Sequence, residues 1–84
     1  MIKTEIREYD VNEYIELCGY EVGDFDEGED KCLKIYNIVN VENDDEGCYV
    51  GCLMESGKYW VVGCRIDRVV SGYDEMIKYI KDGI

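Results

Sequence analysis

The chain has 84 residues and sets 20 acids against 9 bases, a net charge of −11, with no histidine. That length makes one domain, residues 1–84, with a thin core that buries about 60–65% of the surface of the unfolded chain. The charge opposes direct contact with phosphate backbones and anionic lipid surfaces. Without histidine no Ser-His-Asp or Cys-His arrangement can be built, so no enzyme is expected.

The start, Met1-Ile2-Lys3-Thr4-Glu5, lacks the basic and apolar regions of a secretion signal. No apolar run approaches the ~20 residues of a membrane helix, so a cytoplasmic protein is expected. Five cysteines (Cys18, Cys32, Cys48, Cys52, Cys64) are an odd number without a secretion signal and are expected as free thiols.

Ile2, Thr4 and Ile6 alternate with Lys3, Glu5 and Arg7, the period of a half-buried strand, although residues 1–9 also suit a helix running through to residue 18. Asp10 and Glu13 have the spacing of a capping box. Val11, Tyr14, Ile15 and Cys18 then follow at helical spacing up to Gly19, which predicts a helix over 10–18. Residues 21–30, EVGDFDEGED, read as a solvated acidic loop. From Cys32 to Val41 the residues Leu33, Ile35, Val39 and Val41 share one parity, interrupted at Asn37, and predict a strand.

A second acidic turn, 42–47, leads into strands at 48–54 and 58–70 joined through Glu55-Ser56-Gly57. A three-residue loop with Gly57 left-handed sets Met54 opposite Lys58, Cys52 opposite Trp60, Val50 opposite Val62 and Cys48 opposite Cys64. A two-residue loop would face Gly51 with Val62 and waste it against the core, so the longer loop is expected. Ser71 and Asp74 form another capping box before Tyr73, Met76, Ile77 and Ile80, with Gly83 as the stop. The fold class is α+β: a three- or four-stranded, mostly antiparallel sheet with two helices, in the order β-α-β-β-β-α, the helices able to share one face. The expected core is Leu33, Ile35, Val50, Cys52, Trp60, Val62 and Ile66.

The segments 21–30 and 42–46 hold six and four acids and no base, leaving 10 acids and 9 bases elsewhere. A strand of about ten residues would hold these clusters roughly 30 Å apart. Concentrated carboxylates can occupy the lysines and arginines that a nucleic-acid-binding groove offers to phosphate. The candidate contacts are Asp24, Asp26, Glu27, Glu29, Asp30, Asp44, Asp45 and Glu46, with Tyr49 and Tyr59 as hydrophobic anchors. Tyr36, Tyr49 and Tyr59 share the other sheet face with Ile38, Leu53 and Val61; that face is either a second core layer under a helix or a contact surface.

No cofactor and no metal are expected. Cys48 and Cys52 on a strand would stand about 13 Å apart, too far to share one zinc. Asp24-Phe25-Asp26-Glu27-Gly28 lacks the glycine and glutamate positions of a calcium loop.

A compact, acidic, tyrosine-rich chain with a helix, an antiparallel meander and a closing helix resembles the small phage-encoded anti-CRISPR proteins, some of which mimic DNA. The resemblance covers layout and charge, with no diagnostic motif. It implies an inhibitor, monomeric or homodimeric, in the cytoplasm of a bacterial host cell. Its partner would be a basic nucleic-acid-binding protein, a CRISPR effector whose DNA-binding groove it blocks, without touching nucleic acid itself. The same charge logic fits an immunity protein or antitoxin covering a basic nuclease toxin. A homodimeric adaptor whose contact is the tyrosine face is a further alternative.

Overall fold

The computed structural model describes residues 3–82. It is an α+β fold built on one sheet of five antiparallel strands in sequence order: β1 (Thr4–Asp10), β2 (Cys32–Asn40), β3 (Asp45–Met54), β4 (Tyr59–Val62) and β5 (Asp67–Val70). Helix α1 (Val11–Cys18) follows β1, and α2 (Tyr73–Lys81) closes the chain. No helix among the described residues is long and apolar enough to cross a membrane.

The fifth strand corrects the three or four expected. The segment 58–70 is broken where Gly63 N–H donates to the Ile66 carbonyl, 2.9 Å, so β5 folds back onto β4. Cys64 lies in that exposed turn and is not paired with Cys48. Between Val62 and Asp67 the only turn signal is Gly63, with no Pro, Asn or Asp to mark the reversal.

The register of the β3–β4 hairpin is the one expected: Val50 faces Val62, Cys52 faces Trp60 and Met54 N–H donates to the Lys58 carbonyl. Gly57 has φ 92°, the left-handed conformation that this loop demands and that glycine adopts without strain.

The predicted strand start holds as β1 over Thr4–Asp10; Ile2 lies outside the described residues. Asp10 caps α1 by accepting from the Asn12 N–H at 3.0 Å, and Gly19 ends it in the left-handed conformation. At α2 the expected cap fails: the N-cap is Gly72, with no side-chain hydrogen bond, because Ser71 stands one residue too early. The acids Asp74 and Glu75 in the first turn and Lys78 and Lys81 in the last favour α2 through its dipole. Gly83 lies outside the described residues.

Two register shifts in the β2–β3 pair reorder the core. A shift between Cys32 and Lys34 turns Leu33 outward, 46% exposed, and places Cys32 inside, so Leu33 leaves the expected core. The second lies between Asn37 and Val39. There the buried Asn37 side chain accepts from the Ile38 N–H at 2.8 Å and satisfies a donor at the interrupted ladder. Residues 35–39 are buried without a gap, because both faces of β2 are covered.

The helices lie on opposite faces rather than sharing one. Tyr14 of α1 packs with Phe25, Cys32, Ile35, Cys52, Met54 and Trp60 on the first face. Met76 and Ile80 of α2 pack with Tyr36, Val61 and Val70 on the second, with Tyr49, Leu53, Tyr59 and Ile66 at its margin. Ile66 therefore belongs to the second layer, not to the core expected for it.

The buried tyrosines set an alkaline limit on stability. Burial, then the charge of Glu46, pushes the Tyr14 hydroxyl up; burial, then the hydrogen bond to Glu8, does the same at Tyr36. A tyrosine with a raised folded-state pKa contributes stability that is complete below its ordinary value near 10 and is lost as pH rises through the folded value. Tyrosinate absorbance and circular dichroism followed together from neutral to alkaline pH should show these two rings ionising only as the fold is lost. Ionisation of all eight tyrosines before any change in dichroism would contradict the packing.

Candidate functional site

The loop after α1 is not simply solvated. Phe25, the one phenylalanine of the chain, is buried against Tyr14 with ring centroids 5.8 Å apart, and Tyr20 meets Phe25 at 4.9 Å and lies near-parallel to Tyr14 at 6.0 Å. These three rings tie the acidic loop to the sheet. Signals for this stood in the sequence, since an aromatic ring inside an acidic tract must find cover or leave a large apolar surface in water.

Several carboxylates hold the loop's own backbone. Asp24 accepts from the Glu21 N–H at 2.9 Å, Asp26 from the Cys32 N–H at 3.0 Å, and Asp30 from the Ser56 N–H and hydroxyl at 2.9 and 2.6 Å. Glu27 and Glu29 make no side-chain hydrogen bond or ion pair among the described residues and are exposed, as are Glu13, Glu16 and Glu21. Residues 11–30 thus form a cap on the first sheet face with eight acids and no base.

Residues 59–82, which carry β4, β5 and α2, hold four bases and four acids. The cap's face therefore carries uncompensated negative charge, while α2 on the other face balances Asp74 and Glu75 against Lys78 and Lys81. Apolar side chains stand out among the cap's acids: Leu17 is 68% exposed, Val22 87% and Tyr20 47%.

The second acidic cluster lies past the Asn40 end of β2, but its Glu46 carboxylate meets the Cys18 thiol of α1 at 3.9 Å, so it adjoins the cap instead of standing a strand's length from it. Here Asn40 and Asn43 side chains accept from the Glu42 and Asp45 N–H groups, and Asp44 adopts φ 56°, which aspartate tolerates better than most residues. Asp44 pairs with Arg7 at 2.9 Å, Glu46 accepts from the Tyr9 hydroxyl at 3.1 Å, and Asp45 opens β3. Half of this cluster is thus occupied within the molecule.

Tyr49 and Tyr59 are half-buried in the layer beneath α2. Tyr59 meets Tyr73 of α2 and Tyr36 at 6.0 and 6.3 Å. Helix α2 therefore covers the face that an adaptor reading would leave open.

Between the cap, the start of β3 at Gly47 and the turn at Gly63 lies a cleft of about 480 Å3, lined by Tyr20, Asp24 and Phe25 on one wall and Cys48, Gly63 and Cys64 on the other. All five cysteines carry free thiols, and Cys32 and Cys52 are buried in the first core layer. The Cys52 thiol is pushed well up by its hydrogen bond with Cys32 and by burial, which leaves it unreactive. No group of three or more Cys, Asp or Glu among the described residues is placed to hold a metal ion. No protein-family model, curated protein or solved structure matches this chain.

Proposed function

We propose that this protein is an acidic inhibitor that covers the phosphate-binding surface of a basic nucleic-acid-binding protein, in the manner of an anti-CRISPR protein that mimics DNA. The observation that carries the reading is the segregation of charge: eight acids and no base in a cap held to the sheet by three aromatic rings. Carboxylates needed only for solubility would serve as well scattered over both sides of the sheet. Those on a fixed cap present a directed negative field that speeds encounter with a basic groove and competes with phosphate there. Exposed Leu17, Tyr20 and Val22 among the acids supply the apolar contacts that a protein partner can bury.

The test is capture. The immobilised chain is exposed to lysate of the cell that carries its gene and washed with rising salt. A CRISPR effector or nuclease should elute at moderate salt, because exposed charge pairs are screened, and duplex DNA should displace it. Recovery of a small toxin would make the chain an immunity protein instead, and recovery of no basic protein would overturn the reading.

A further inference from the structure

The cleft beside the cap has the chemistry of a receptor for one planar cation. Its aromatic wall is fixed: Phe25 and Tyr14 are buried, while Tyr20, held at 4.9 Å from Phe25, keeps about half its surface open. Asp24 is oriented by the Glu21 N–H, which engages only its Oδ2, so Oδ1 is free to accept. The opposite wall is formed in part by bare backbone at Gly47 and Gly63. The cleft's volume of about 480 Å3 lies within the range of small-ligand sites, and no lysine or arginine of the chain lines it.

We infer that this cleft receives an arginine side chain of the partner, its guanidinium lying over the Tyr20 ring and hydrogen-bonded to Asp24. Arginine is favoured over lysine because a flat, weakly hydrated guanidinium stacks on an aromatic face and matches a carboxylate, whereas an ammonium is a compact, strongly hydrated charge. The uncompensated acids of the cap raise the local concentration of cations at the cleft mouth. The inference rests on the proposal of a basic protein partner and adds where one of its side chains is seated.

The experiment is a titration of the full chain, followed by amide chemical shifts, with N-acetyl-arginine N-methylamide and with its lysine counterpart. The arginine probe should give saturable shifts at Tyr20, Asp24, Phe25 and Cys64, with at least threefold weaker binding of the lysine probe. Tyr20→Ala removes an exposed ring, and Asp24→Asn keeps the turn's acceptor; each should weaken the arginine probe severalfold while the spectrum stays dispersed. Equal, unsaturable shifts from both probes at Asp44, Asp45 and the cleft would mean diffuse charge attraction and overturn the inference, as would tighter occupation of the cleft by neutral phenol.

Capture from lysate separates the two readings. If a basic partner is captured as well by the Tyr20→Ala variant as by the parent, the inhibitor reading stands and the cleft inference falls. Specific binding of the arginine probe with no basic partner captured reverses that result.

Discussion

Gly51→Ala should lower the melting temperature by about 10 °C. A Cβ at Gly51 would enter the Met76 sulfur and stand 2.6 Å from Met76 Cγ, and Met76 is wholly buried between α2 and the sheet. Overpacking of this kind costs about 1–3 kcal/mol. A chain of this size has only about 4–12 kcal/mol of stability in total, and each kcal/mol moves the midpoint by about 4–8 °C. Gly51→Val should leave little folded protein at physiological temperature.

Because the clash is with one side chain, Met76→Ala should make Gly51→Ala nearly harmless. Alone, Met76→Ala leaves a cavity costing about 2–5 kcal/mol; in the double variant the new methyl partly fills it, so the two losses are strongly non-additive. A melting curve for each corner of that cycle checks the packing. A Gly51→Ala midpoint unchanged from the parent would mean that α2 does not sit where the structure places it.

Reversal of charge on the cap should produce the largest functional effect. Lysine at Glu13, Glu16, Glu21, Glu27 and Glu29 changes only side chains that make no internal hydrogen bond or ion pair among the described residues, so the fold should persist. Affinity for the basic partner should fall by on the order of a hundredfold at low salt, through a slower association rate, with a smaller loss at high salt. Reversal of Glu42 and Asp45 at the other end of β2 should change affinity by less than about threefold, the scale of isolated exposed charges. Equal losses from both sets would extend the contact from the cap onto the 42–46 turn. No loss from either would return the acids to a solubilising role.

Much of the local structure was legible in the residues. Asp10 and Gly19 bound α1 by capping chemistry that acts within one turn. Alternation marks β1, and the parity of Val50, Cys52, Trp60 and Val62 selects the three-residue hairpin loop. The concentration of charge in 21–30 and 42–46 was equally plain. Each of these depends on neighbours close in sequence, where spacing alone decides which side chains share a face.

What remained was decided by long-range contact. The shift at Leu33 exchanges an apolar residue for Cys32 inside the core, and it falls where β2 has passed the end of β1 and pairs with β3 alone. The reversal at Gly63 depends on β5 finding a partner edge on β4, because the turn itself carries little chemistry to enforce it. Alternating strands offered two apolar faces, but amphipathic α1 and α2 suit either one. Gly51 admits Met76 on one face, while Tyr14 and Phe25 close the other. By setting the helices on opposite sides, the tertiary fold turned an acidic stretch of sequence into an acidic side of the molecule and buried the tyrosine face that the residues alone left open.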